Sequence, residues 1–312
     1  MKKHIIQFSS LLTLLLFVAG FMILSSCEKD ITVGIPQADK KPVVEGYIFQ
    51  GEYATVGITW SFPFFKPLTG VDFTDPAAAQ EFLVLDALVT LSDGFSSETL
   101  SLTFDPTSFP PIYYKGDSIL GQPGRTYTLN IKFPGYDLAA VTTIPEPVSL
   151  DSLAFKVEAG EDSLGFARMY FQDPPAIGNI YRLYSKRPSY SNYVPTYAVG
   201  NSVIDDQAYN GQYIEFLFGR PDERNNVFVS DTDTAEVYGD DSGYWKLGDT
   251  IMVRFCTIDR ISYDFIKTME NAAGTSGNPF TNPTTVKSNI TGGNALGGFC
   301  GLSVSEIQRI AQ

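Results

Sequence analysis

Tyr127, Leu129, Ile131 and Phe133 alternate with Thr126, Thr128, Asn130 and Lys132, bounded by Pro123-Gly124-Arg125 before and Pro134-Gly135-Tyr136 after. A strict period of two presents one apolar face, and a single strand cannot bury that face alone. The motif recurs. Val43 to Phe49 and Thr55 to Trp60 flank a Gln50-Gly51-Glu52 turn. Phe82 to Leu91 reads as a strand that turns at Ser92-Asp93-Gly94 into Thr99 to Phe104, and Leu138 to Ile144 follows the 126–133 strand. Short strands with turn residues between them predict a β-sandwich of immunoglobulin or fibronectin type over 42–147. Tyr127 is placed to be its corner tyrosine. Pro145-Glu146-Pro147 cannot continue a central strand, so a domain boundary is expected there.

The β pattern resumes at Leu153 to Val157, Phe166 to Phe171, Ile180 to Tyr184, Tyr213 to Phe218 and Ile251 to Phe255. One helix interrupts it. Phe265, Ile266, Met269 and Ala273 recur at helical spacing behind Ser262 as N-cap, and Gly274 is the stop. A segment rich in Gly, Asn, Thr and Pro, 275–285, leads to a last glycine-rich strand region. The expected fold is therefore mainly β: an N-terminal immunoglobulin-like β-sandwich, then a second β-rich domain, 148–312, carrying one α-helix. An apolar content of 44% is enough for real cores.

The first residues belong to a different kind of segment. Lys2, Lys3 and His4 precede an apolar run from Leu11 to Leu24, too short to span a bilayer as a helix. Leu24-Ser25-Ser26-Cys27 resembles a bacterial lipobox. Residues 1–26 are expected to be a lipoprotein signal peptide, with Cys27 lipidated and 27–41 a polar tether; an uncleaved anchor is the alternative. The acyl chains would hold the body at a membrane surface, each buried CH₂ contributing about 0.8 kcal/mol.

Charge and histidine content then exclude whole classes of function. The chain has 22 basic residues, two of them in the leader, against 35 acidic ones, for a net charge of −13. Such a balance repels phosphate backbones, so nucleic-acid binding is not expected. The single histidine is His4, in the leader, so the processed chain cannot build a Ser-His-Asp, Cys-His or histidine-zinc centre. Cys256 and Cys300 remain as a disulfide or as two buried thiols; we expect the disulfide, whose loop would contribute roughly 4 kcal/mol.

No cofactor and no metal are expected. Asp205-Asp206 and Asp240-Asp241 are the best carboxylate pairs for a glycosidase, yet both sit in polar loop sequence. Asp231-Thr232-Asp233 with Asp240-Asp241 offers hard oxygens for calcium without the full calcium-loop signature. Gly292-Gly293 and Gly297-Gly298 lack the lysine of a phosphate loop and fit close backbone approach. Aromatic residues give the binding hint: Trp60, Phe62, Phe64 and Phe65 in one loop, and Tyr190, Tyr193 and Tyr197 around Pro188 and Pro195. We expect these to meet a partner; ordinary packing is the alternative.

Several segments, in order, resemble one family: Cys27-Glu28-Lys29-Asp30, Val43-Val44-Glu45-Gly46-Tyr47-Ile48, Arg125-Thr126-Tyr127-Thr128-Leu129, Thr142-Thr143-Ile144-Pro145-Glu146-Pro147-Val148, Phe171-Gln172-Asp173-Pro174, Asp206-Gln207-Ala208-Tyr209-Asn210-Gly211 and Ser288-Asn289-Ile290-Thr291-Gly292-Gly293. They are similar to the Bacteroidota lipoproteins of domain of unknown function 4249. The resemblance implies an outer-membrane lipoprotein, often encoded beside a TonB-dependent transporter, with no catalytic residues to carry over. Glu28-Lys29-Asp30 also resembles the surface-export signal of that phylum, implying that the body faces the cell exterior. The expected function is a non-enzymatic binding or accessory partner of such a transporter; a carboxylate glycosidase and a structural envelope or assembly lipoprotein are the alternatives.

Cys27→Ala is expected to move the protein from the membrane fraction to the soluble fraction, and intact mass of the wild type should show loss of residues 1–26 with added acyl chains. A variant that stayed wholly membrane-bound would sink the lipobox reading.

Overall fold

The strand Pro42–Phe49, β1, is apolar on both faces, and that places it in the middle of the molecule. Val44 and Ile48 are fully buried on one side, while Tyr47 and Phe49 pack into a different core on the other. In the computed structural model, residues 39–61, 76–106, 108, 110–188, 192–197, 201–221, 243–275 and 285–312 are described. The architecture is mainly β.

The first sandwich has two sheets. One contains β1, β2 (Tyr53–Trp60), β5 (Ser101–Phe104), β6 (Ile112–Leu120) and β17 (Leu296–Leu302), in the order β17-β1-β2-β6-β5. The other has the order β4-β3-β7-β8, from Ser97–Thr99, Leu88–Ser92, Thr126–Phe133 and Tyr136–Thr143. Tyr127, Leu129, Ile131 and Phe133 face inward as their alternation requires, against Val56, Ile58 and Phe299 of the opposite sheet. Tyr127 is the corner tyrosine: its hydroxyl accepts the Gln122 amide at 2.7 Å and donates to the Leu120 carbonyl at 3.2 Å.

Residues 42–147 do not complete this sandwich by themselves. β17 comes from the far end of the chain and pairs parallel with β1, from Val43 opposite Leu296 to Phe49 opposite Leu302. Only Ser303 and Val304 separate it from β18 (Ser305–Ile310), which pairs with β16 (Thr250–Thr257) in the second sandwich. Gly297 permits the approach. Its φ is 106°, and a Cβ there would lie 1.8 Å from the Val44 carbonyl oxygen. Gly292 and Gly297 thus serve close backbone contact, as the sequence suggested, whereas Gly293 and Gly298 make room for the side chains of Tyr136 and Phe265.

The second sandwich is built on β10 (Leu164–Gln172) and β11 (Ile180–Lys186). β9 (Ser152–Val157) takes one edge of β10, and β14 (Tyr213–Phe218) and β15 (Trp245–Lys246) follow each other along the opposite edge. β11 pairs with β16 on one side and with the short β12 (Val194–Pro195) and β13 (Val203–Asp205) on the other. Phe171, Tyr181, Phe255, Phe218 and Trp245 fill the space between the sheets. A third core lies where the outer faces of β1, β17, β11 and β16 meet the helix α2 (Arg260–Thr275).

Three local expectations change. The N-cap of α2 is Asp259, whose Oδ1 accepts the Ser262 amide at 2.7 Å, while its Oδ2 holds Thr143 N and the Thr142 hydroxyl, both at 3.1 Å. Asp259 therefore ties β8 to the helix, which a cap read from sequence alone does not reveal. Phe265, Ile266 and Met269 face the core, but Ala273 is exposed. The strand expected from Phe82 begins only at Leu88, because Pro76–Phe82 forms a helix, α1. Pro76 opens it, and the run Ala77-Ala78-Ala79-Gln80-Glu81 favours helix over strand.

Tyr127→Phe keeps the packing and strands the Gln122 amide and Leu120 carbonyl. It should cost about 1–3 kcal/mol, read as a lower urea midpoint with an unchanged slope.

Candidate functional site

A groove opens along the solvent edge of the third core. Two adjoining clefts, of about 370 and 350 Å³, share Glu52 and Asn192. The first runs over the outer face of β1, β2 and β6, with Glu45, Tyr47, Thr55, Tyr113 and Lys115 among its walls. These residues stand together because outward positions of neighbouring strands fall on one face of a pleated sheet. The second runs onto the other sandwich, between Phe49, Tyr184, Lys186, Tyr193 and Arg254.

Cations and aromatic rings alternate along this groove. Arg254 lies over Phe49 at 5.2 Å and Tyr193 at 4.6 Å, and Lys186 lies over Tyr193 at 4.7 Å. Arg254 also pairs with Glu52 at 2.8 Å and Glu306 at 2.7 Å, so it joins the β1–β2 turn to the second sandwich. Burial works against its charge, but the two glutamates more than offset this and hold it protonated. Behind the groove, Arg182 is buried over Tyr184 at 4.8 Å and Tyr47 at 5.8 Å, and pairs with Glu270 at 3.8 Å. Glu270 is itself held by the Ser202 amide at 2.9 Å and by the Ser202 hydroxyl. Burial, then Glu45, raises the Tyr47 hydroxyl well above its usual range, so it stays neutral and donates a hydrogen bond to Glu45 at 2.9 Å.

The expected partner-binding residues divide. Tyr193 is in the groove. Tyr197 is 47% exposed and near Glu270, two residues beyond β12. Trp60 instead packs edge-on against Phe133 at 5.9 Å and Tyr136 at 5.6 Å, at the rim of the first core. Phe62, Phe64, Phe65 and Tyr190 lie outside the described residues, as do Cys27, Asp231, Asp233, Asp240 and Asp241. Tyr47, Phe49, Tyr184 and Arg254 were missed. Their signal was the second apolar or aromatic face of β1 and β11, which marks a strand buried on both sides.

Cys256 and Cys300, expected as a disulfide, are both free and buried. Cys256 stands on β16 opposite Arg182 and Cys300 on β17 opposite Tyr47, in two different sheets that share the third core. Burial pushes both thiols up to about 12. They act as small apolar core residues.

Backbone amides engage the buried carboxylates Glu98 and Asp206. Glu98 accepts the amides of Asp117, Ser118 and Ile119 at 3.0, 2.8 and 3.3 Å. Of the pair Asp205-Asp206, Asp206 is wholly buried and accepts Gly178 N and Asn179 N at 2.8 and 2.9 Å, while Asp205 accepts the Tyr263 hydroxyl at 2.8 Å. They point to different partners and do not face a common substrate space. Among the described residues no three His, Cys, Asp or Glu side chains converge as a metal centre.

A two-sandwich β protein with an aromatic and charged groove at the junction of its sandwiches is the class this geometry defines. The family model described as Domain of unknown function (DUF4249) matches residues 28–308, and the chain belongs to that family. No curated protein matches it. The segments that resembled the family have legible tasks here. Glu45 and Tyr47 line the groove, while Gly46 between them faces the first core and leaves room for Phe299, 2.8 Å from where its Cβ would be. Asn289 holds Phe299 by accepting its amide at 2.8 Å and donating to its carbonyl at 2.7 Å.

The raised thiols set a pH dependence. An unfolded thiol ionises near its ordinary 9.0 and the folded one near 12, so the unfolded state loses protons first as pH rises. Stability should be unaffected by the thiols below about pH 9 and fall by roughly 1.4 kcal/mol per pH unit for each thiol between about 9 and 12. The difference in urea stability between wild type and a Cys256→Ala, Cys300→Ala variant isolates this from the tyrosines; equal slopes would contradict it.

Proposed function

We propose that the protein is a surface-exposed, lipid-anchored outer-membrane lipoprotein that binds, without catalysis, an extended segment of a TonB-dependent transporter. The observation that supports the reading best is the groove: Tyr47, Phe49, Tyr184 and Tyr193 interleaved with Arg254 and Lys186, lined by polar side chains and open to solvent. Aromatic and arginine side chains are the groups that dominate protein interfaces. Donors and acceptors of both charges around them suit an extended peptide, whose backbone offers both. The lipobox at Cys27 and the tether that follows would confine this groove near a barrel mouth, where a modest intrinsic affinity suffices. No helix among the described residues is long and apolar enough to cross a membrane, so attachment falls to the lipid in this reading.

The glycosidase alternative would draw on Glu45, Glu52 and Asp105, which line the same cleft. It is the weaker reading because Glu52 is 48% exposed and paired with Arg254, whereas a general acid needs an enclosed carboxyl.

Mild crosslinking of the native membrane followed by capture of this protein should recover a barrel transporter in stoichiometric amount. Tyr193→Ala, at the rim of the third core, should reduce recovery by at least tenfold while lowering the urea midpoint only modestly, the protein remaining folded under the conditions of capture. Recovery of the lipoprotein alone, with its neighbouring transporter abundant in the same membrane, would reject the partnership.

A further inference from the structure

Another cleft, of about 580 Å³, opens between the β3–β4 turn and the β6–β7 turn and shares no lining residue with the groove. Its shape is set by Asp93. The carboxylate Oδ1 accepts the Phe95 and Ser96 amides at 3.0 and 2.7 Å, with Gly94 at a φ of 84°, and this tight turn directs the Phe95 side chain outward. Oδ2 pairs with Arg125 of the other turn, and the Arg125 guanidinium lies over the Phe95 ring at 4.9 Å. The two turns are thereby fastened together, and the ring is held from one face.

Phe95 is nevertheless 86% exposed. A lone ring in water needs no explanation. This one lines a cleft and is oriented by a cation, and its other face has no aromatic or cationic partner among the described residues. Hydrogen-bonding groups stand beside it. The Gln122 side-chain amide and the Thr128 hydroxyl make no bond to a described residue, and Arg125 uses only Nη1 on Asp93. Charge is balanced there. Asp93 and Arg125 are the only charged residues of the described lining. The Ser96 and Phe95 amides, and then Arg125, hold the Asp93 carboxyl below its usual range, so the two stay ionised and offset each other at neutral pH.

We propose that this cleft binds a neutral saccharide, one sugar unit stacking its C–H face on Phe95 while its hydroxyls bond Gln122, Arg125 and Thr128. A pyranose has an apolar face and a rim of hydroxyls that each donate and accept. That matches a ring flanked by an amide, a hydroxyl and guanidinium N–H groups. The balanced charge decides against ionic ligands: an anion meets Asp93 within a chain of net charge −13, and a cation meets Arg125. A peptide would need a free strand edge or apolar pockets, and a protein partner about 800 Å² of surface with an apolar centre. Between these two turns there is one ring. The cleft volume lies in the range of small-ligand sites. Its openness to solvent implies weak binding, with a Kd of about 1 mM for a single sugar unit. The site is separate from the groove and does not rest on the transporter reading.

Saturation-transfer NMR reads contacts of this strength. With the full processed protein in a detergent that carries no sugar, neutral hexasaccharides of glucose, mannose, galactose or xylose are offered at millimolar concentration. At least one should receive saturation, chiefly at the C–H protons of one ring face. Phe95→Ala should weaken its binding at least fivefold with the melting temperature nearly unchanged, because the ring is exposed. Gln122→Ala, which keeps the main-chain bond from residue 122 to the Tyr127 hydroxyl, should weaken it at least twofold. Tyr193→Ala, in the groove, should leave it unchanged, and oligogalacturonate should not compete. Absence of transfer to all four sugars, binding unaffected by Phe95→Ala, binding lost in Tyr193→Ala, or displacement by oligogalacturonate overturns the site. If no sugar binds and Phe95→Ala instead lowers recovery of a crosslinked protein, the ring is a protein contact and the saccharide site is rejected.

Discussion

The parallel pairing of β17 with β1 is the contact on which the rest of the molecule depends. It closes the first sheet with residues more than two hundred positions away, and the same run of chain continues through Ser303 and Val304 into β18, a strand of the second sandwich. Both sandwiches are thereby stapled by one short C-terminal segment. Main-chain pairing over this sequence separation costs loop-closure entropy before it returns any stability. Gly297, under the Val44 carbonyl, and Gly298, against the ring of Phe265, are the positions at which a side chain would block it.

That staple creates the third core, and the third core creates the groove. Because β1, β17, β11 and β16 each have a second buried face, residues that would be solvent-facing in a lone sandwich are instead Tyr47, Phe49, Tyr184 and Cys256. Among the described residues Arg182 is the one cation held deep in this layer. A buried ion pair alone is a poor source of stability, since desolvation consumes much of the Coulomb gain. Here Glu270, Ser202 and two tyrosine faces surround the guanidinium, and the arrangement fixes how the two sandwiches' sheets and α2 meet. Where the layer reaches solvent, the same alternation of rings and cations becomes the open wall of Arg254, Tyr193 and Lys186.

An acidic chain has many carboxylates to place, and this one uses several as local fasteners. Glu98 gathers three successive amides of β6, Asp259 caps α2 while holding β8, and Asp173 binds two loops together. Each oxygen used in this way is withdrawn from chemistry. What the surface then offers is recognition by rings and charges, which is why the binding reading fits the geometry better than the hydrolytic one.

The sequence by itself determined many of the strands, because a period of two is a property of neighbouring residues. The alternation at 126–133, the hairpin turns, the corner tyrosine and the five longer strands from 153 to 255 could be read without any contact between distant segments, whereas β6, β12, β13 and β15, whose alternation is broken or too short, could not. It also carried the family resemblance, since Val43 to Ile48, Phe171 to Pro174 and Asp206 to Gly211 are recognisable as strings. Only the tertiary structure decided what those strings do. The Pro145-Glu146-Pro147 break was legible, but not that β17 would return to complete the first sheet; α1 and the Asp259 cap were likewise hidden behind more conspicuous local signals. Trp60 and Tyr193 looked alike as exposed aromatics, yet one packs on Phe133 and the other sits between two cations. Cys256 and Cys300 looked like a pair, yet they stand as separate thiols on strands of different sheets. Periodicity records which face of a strand is apolar, whereas the partner of that face is fixed by pairing across hundreds of residues, and no local pattern encodes it.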